Sequence, residues 1–107
     1  MSIKTPLAST GGLQAVIPIR NANAPITVSN VSQSSDEITS DAFYIYVTTP
    51  CHVRISANGD AADTIHDFPI ASSIGHIFCC NIKDKISVVK QNGMSDGLAY
   101  IHSLQKN

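Results

Sequence analysis

Phe43-Tyr44-Ile45-Tyr46-Val47-Thr48 is the stretch whose reading decides the fold, with Cys51-His52-Val53-Arg54-Ile55-Ser56-Ala57 close behind it. Successive side chains of a β-strand point to opposite faces, so a period of two marks a strand with one face buried. Phe43, Ile45 and Val47 fall on one face, and Tyr44, Tyr46 and Thr48 on the other. Pro50 breaks the run; Cys51, Val53, Ile55 and Ala57 then alternate with His52, Arg54 and Ser56. Asn58-Gly59-Asp60 ends the second strand, because Asn-Gly tolerates the positive φ of a tight turn.

The rest of the chain repeats this pattern more weakly. On the N-terminal side, Ala15, Ile17 and Ile19 alternate with Val16, Pro18 and Arg20, and Pro18, lacking an N–H, assigns that strand to an edge. Residues 25–29 form another strand, and the polar run 32–41 reads as a loop with room for one helical turn. Beyond the central pair, residues 66–70 form a short extended piece. Residues 76–82 form a strand apolar on both faces, central or covered by a neighbour; 86–90 and 98–104 complete the set. The Gly-rich segment 92–97 reads as a hairpin loop. About eight short strands at intervals of about ten residues, with no helix of normal length, predict an all-β fold, a β-sandwich or jelly-roll-like barrel. Residues 1–12, with little periodicity, read as an extended N-terminal arm, and 13–107 as a single domain.

Composition argues the same way. Fourteen Ile and seven Val against four Leu favour the pleated strand, where branching at Cβ packs well and its stiffness costs little. Charged residues make up only 14% of the 107, and the net charge is −1. Seven scattered Lys and Arg do not create the basic field that displaces counterions from nucleic acid, nor one that draws a chain to an anionic membrane. Residues 1–6 carry no continuous apolar stretch of a secretory signal, so the three cysteines are expected to stay free in a reducing cytoplasm.

The candidate chemistries are thin. Four His (52, 66, 76, 102) and three Cys (51, 79, 80) supply metal ligands by type, but not at the Cys-x₂₋₄-Cys spacing of structural zinc. Cys79 and Cys80 are adjacent on a strand and point to opposite faces; Cys51 and Cys79 read as small core hydrophobes. Gly93-Met94-Ser95-Asp96-Gly97 has the Gly-x-Ser-x-Gly spacing, but it joins two expected strands and lacks the strand-to-helix turn of a nucleophile elbow; Gly11-Gly12 and residues 93–97 also lack the lysine and helix of a phosphate cradle. The expectation is therefore no catalytic, metal or cofactor site. Tyr44, Tyr46 and Thr48 remain as interface candidates, since tyrosine joins broad apolar area to a polar tip. Two other readings of that face are a second sheet covering it and a stacking platform for sugars.

From residue 43 onward the order of features resembles a known group. The strand 43–49 leads into Cys51-His52-Val53-Arg54-Ile55-Ser56, a small-residue loop at 58–62, Asp67-Phe68-Pro69-Ile70 and Ile77-Phe78. Lys83-Asp84-Lys85-Ile86-Ser87-Val88-Val89 and Leu98-Ala99-Tyr100-Ile101 then close the chain. This resembles the small β-sandwich structural proteins of tailed bacteriophages, in which the segment matching 84–88 often follows a Pro-Gly turn; here Lys83 stands at the Gly position. The resemblance covers about the last two thirds of the chain, carries no catalytic residues and does not reach residues 1–40.

What it implies is a virion component made in the bacterial host cytoplasm, foremost a capsid decoration or cement protein. The implied partners are the major capsid protein or other virion proteins. A homo-oligomer is also expected, a trimer first because capsid lattices offer local three-fold positions. A tail, neck or head-fibre part is the alternative within that class. From other classes come a carbohydrate-binding module and a small cupin-like enzyme with a His cluster in its barrel.

Overall fold

Among the described residues, the β-branched alternation produces nine strands in two antiparallel sheets. The structure, a computed structural model, describes residues 16–18 and 25–106. In chain order the strands are β1 (Val16–Pro18), β2 (Ile26–Val28), β3 (Gln33–Ser34), β4 (Ala42–Val47) and β5 (Cys51–Ser56). They continue with β6 (Phe68–Ile70), β7 (His76–Cys79), β8 (Lys85–Lys90) and β9 (Gly97–Lys106). No helix occurs among the described residues. The arm expected at 1–12 lies outside them.

One sheet runs β1-β9-β4-β7, with β2 also pairing with β9; the other runs β3-β8-β5-β6. Leave out β1 and the pairing has a simple rule: β2 joins β9, β3 joins β8, β4 joins β7 and β5 joins β6. A chain folded back on itself as one long antiparallel ribbon, then wrapped so that β4 also meets β9 and β5 also meets β8, has this connectivity. That is the eight-stranded jelly roll. Only β5 and β6 are sequential neighbours within one sheet, so the other connections between β2 and β9 cross from sheet to sheet.

Burial follows the alternation. Phe43, Ile45 and Val47 from β4 are fully buried, facing Cys51 and Val53 from β5 and Ile86 and Val88 from β8. Val28, Ala99 and Ile101 complete the inner layer of the five-stranded sheet. Phe43 and Phe78 pack at 5.7 Å between ring centroids; Phe78 meets Phe68 edge-on at 5.8 Å, closing the side of the sandwich where β6 and β7 run.

Three expectations are corrected. The polar run 32–41 holds a two-residue strand, β3, and no helical turn: Ser35 and Ile38 donate N–H groups to the carbonyls of Ile86 and Asp84, which keeps the segment extended along β8. The segment 92–97 closes no hairpin, because β8 and β9 belong to opposite sheets. Strand β7 is not central: it ends its sheet, packs Phe78 inward against Phe43 and Phe68, leaves Ile77 and Cys79 exposed, and stops at Cys79.

The turn into β8 carries a detail of sequence. Asp84 N–H donates to Asn81 O at 3.0 Å, and Lys83 sits at φ 79° in the third turn position. This is a type II turn, which favours Pro second and Gly third; Ile82 and Lys83 occupy those places. The buried Asp84 carboxylate accepts the Asn81 N–H at 2.9 Å and holds the bend despite the lysine Cβ.

Two measurements check this account. Lys83→Gly removes a left-handed side-chain conflict of about 1 kcal/mol, partly offset by the greater freedom of glycine in the unfolded chain, so the thermal midpoint should rise by a few degrees. A fall would contradict the turn geometry. Ile45→Asp places an unpaired charge in the core at a cost of several kcal/mol and should leave no soluble folded protein.

Candidate functional site

The two sheets turn very different outer faces to solvent. Over the four-stranded sheet, residues 57–67 form a roof. Asp60 N–H donates to Ser56 Oγ at 2.8 Å, Ser34 Oγ donates to Gly59 O at 3.1 Å, and Ala62 N–H donates to Ser32 Oγ at 2.9 Å. His52 Nδ1 donates to the Asp67 carbonyl at 3.0 Å, and Arg54 meets Asp60 at 3.4 Å. Within the roof, Asp63 accepts N–H groups from His66 and Ile65 and pairs with the His66 ring; these bonds, the His66 amide foremost, lower its carboxyl pKa to about 2. Ala62 of the roof and Val89 of the sheet are both buried.

No described segment roofs the five-stranded sheet in this way. The ladder of β4 with β9 sets Tyr44 opposite His102 and Tyr46 opposite Tyr100, and that with β7 sets Tyr44 opposite Ile77. Residues directly opposite across a ladder share a face, so these side chains, with Leu98, form one patch. Tyr100, Leu98 and Ile77 are 38%, 37% and 43% exposed. None of the described side chains that β2, β4, β7 and β9 direct outward is Asp, Glu, Lys or Arg.

All three sequence candidates lie here. Tyr44 and Tyr46 are half-buried and Thr48 is exposed. No second sheet covers them among the described residues, and half-burial comes from their neighbours. The Tyr44 ring rests on Gly75, where any Cβ would stand 2.4 Å from it. Tyr46 meets Tyr100 edge-on, at 6.3 Å and 60°. Thr48 Oγ1 accepts the Leu98 N–H at 2.9 Å. Tyr100 and Leu98 were missed in the sequence because the final strand was read without knowing its partner.

The tilted rings bear on sugar binding, since a flat pyranose face stacks best on a ring lying open to it, and Tyr46 and Tyr100 meet edge to face. A polar groove of about 450 Å³ opens elsewhere, lined by Asn30, Thr64, Gln91 and Asn92. Gln91 already donates to the Cys51 and Ile70 carbonyls at 3.4 Å, and the adjacent Lys90 pairs with Asp96 at 2.7 Å.

The potential ligands and nucleophiles are dispersed. Cys51 is in the core, His52 under the roof, His66 within it, and His102 on the bare face. His76 stacks on Phe78 at 6.0 Å, its buried Nε2 without a partner among the described residues. No group of three His, Cys, Asp or Glu suited to a metal ion occurs among the described residues. Burial pushes the Cys51 and Cys80 thiols up to about 12, with Asp84 and Asp41 adding to the effect at Cys80, so both stay protonated and weakly nucleophilic. Cys79 corrects its expected place: Phe78 turns into the core, so Cys79 points outward and is exposed, and Cys80, beyond the strand end, packs partly against the core.

No protein-family model, curated protein or solved structure matches this chain. A thiol titration tests the placement of the cysteines. In the folded protein at neutral pH, Cys79 should react with a thiol reagent, whereas Cys51 and Cys80 should react only on unfolding. Rapid modification of Cys51 would contradict its burial.

Proposed function

We propose that this chain is a structural protein of a tailed-phage particle, most simply a capsid decoration protein, that works by adhesion without catalysis. The observation that carries the reading is the uncharged aromatic face of Tyr44, Tyr46, Tyr100, Leu98 and Ile77 on a sheet whose opposite number is roofed and charged. Apolar surface gathered in one patch, with no lysine among the described side chains there, is what contact between proteins uses. Two further features agree with the phage setting. The jelly roll is a capsid architecture among others. Lys83 adopts the left-handed backbone suited to the glycine that often stands at that turn in the resembling proteins.

The mechanism follows from the geometry. The sandwich is a rigid spacer, and its bare face lies against a shell protein, with many symmetric copies multiplying a modest contact by avidity. Imaging of purified particles from a host that makes this chain tests the proposal. The chain should lie on the shell with its five-stranded sheet inward, and Tyr100→Lys should remain folded but be lost from particles. Absence from particles, or full occupancy by Tyr100→Lys, would refute it. Strong signals on a glycan array would favour the carbohydrate-binding alternative.

A further inference from the structure

Natural sheets guard their edges, and three of the four in this molecule are guarded. Strand β6 has Pro69 at its centre, β3 is two residues long, and β1, which carries Pro18, shares its edge with the three-residue β2. Proline, brevity and charge are the usual means of preventing edge-to-edge pairing. Strand β7, His76-Ile77-Phe78-Cys79, has neither proline nor charge, and no described strand pairs with its outer side. Exposed apolar side chains flank it: Ile74, Ile82 and, from β6, Phe68.

The backbone groups that β7 leaves free can be identified. Cys80 donates its N–H to Asp41 O at 2.9 Å, continuing the register in which Ala42 faces Cys79 and Phe43 faces Phe78. Antiparallel ladders alternate between bonded and non-bonded pairs. His76 and Phe78 therefore bond to β4, whereas the N–H and C=O groups of Ile77 and Cys79 point away from the sheet.

We infer that this edge binds the β7 edge of a second copy of the chain, antiparallel about a two-fold axis, joining two five-stranded sheets into one. Opposite residues must share a face, which restricts the register to even sums of residue numbers. The register with Phe78 opposite Phe78 sets Ile77 of each copy against Cys79 of the other, so all four outward N–H groups meet outward carbonyls. The edge faces itself without charge repulsion, which favours a second copy over a charged partner. Such contacts belong to the smaller interfaces, below about 1,200 Å² in total, so the dimer should form with rising concentration. Pairing of this kind closes at two copies; a three-fold arrangement needs another surface.

The inference does not rest on the bare tyrosine face, since Tyr100→Lys leaves the β7 backbone untouched. Its test is sedimentation of the full chain under reducing conditions, from micromolar to millimolar. The expected result is a monomer–dimer equilibrium that Ile77→Pro weakens by at least about tenfold, having removed two of four intermolecular bonds. Ile77→Pro deletes an N–H that the monomer does not use, so the fold should survive; Ile77→Lys, which guards the edge by charge, is the second variant. Hydrogen exchange of the wild type needs no variant. The Ile77 and Cys79 amides should become protected as concentration rises, while Phe78 is protected throughout. A monomer at every concentration, a dimer unmoved by both variants, or Ile77 and Cys79 exchange independent of concentration would overturn the inference.

Discussion

A slip of one residue between β4 and β9 would turn this molecule inside out. The ladder that sets Ile45 against Ile101 and Tyr46 against Tyr100 decides which side chains form the core and which face solvent. Because side chains alternate with a period of two, a one-residue shift in β4 would bring Tyr44 and Tyr46 inward and expel Phe43, Ile45 and Val47. The core tolerates no such exchange, since those three are fully buried between the sheets. Strand β9 also carries β2 and β1 on its far side, so one register fixes the order of the whole five-stranded sheet.

The same register explains how much could be read from the sequence. The faces of β4 and β5 were legible because Phe43, Ile45, Val47, Cys51 and Val53 alternate cleanly with polar or tyrosyl positions, and each is buried. Sheet membership was not legible. A turn such as 91–96 looks the same whether it joins neighbours in one sheet or crosses between two, because local chemistry sets the bend and distant pairing sets the destination. Strand β3 escaped notice for a related reason. Gln33 and Ser34 have no apolar alternation, and they are held by their bonding to β8 and by the contact of Ser34 with Ser87 at 3.1 Å. Cys79 was misplaced because β7 is apolar on both faces, which leaves its direction to be set by the packing of Phe78 against Phe43. The candidate surface was half visible: Tyr44 and Tyr46 share a strand, but Tyr100 and Leu98 join them only through pairing across 50 or more residues.

Non-local pairing on this scale has a kinetic side. In the jelly-roll ribbon β2 must find β9 and β3 must find β8 before either is stable, so loop closure comes ahead of most of the gain from burial. Topologies of this kind fold slowly and expose their strands while doing so. The guards on β6, β3 and β1 are of use during that interval as well as afterwards, and a bare β7 is the more noticeable for standing alone among them.

Low charge connects the two proposed contact surfaces. A chain with 14% charged residues has little electrostatic repulsion to keep copies apart. On the other sheet, the one arginine of the described residues pairs with Asp60 in the roof, and Lys90 pairs with Asp96 at the crossover into β9. The outward face of β4 and β9 and the free side of β7 are thereby left as surfaces on which desolvation is cheap, and they meet at Ile77, which belongs to both. Ion pairs thus lie on and beside the roofed sheet, while tyrosine and isoleucine are bared on the other. Converging reactive groups would require His52, His76, His102 and the thiols to share a cavity. The register that makes the core distributes them over both sheets and both faces.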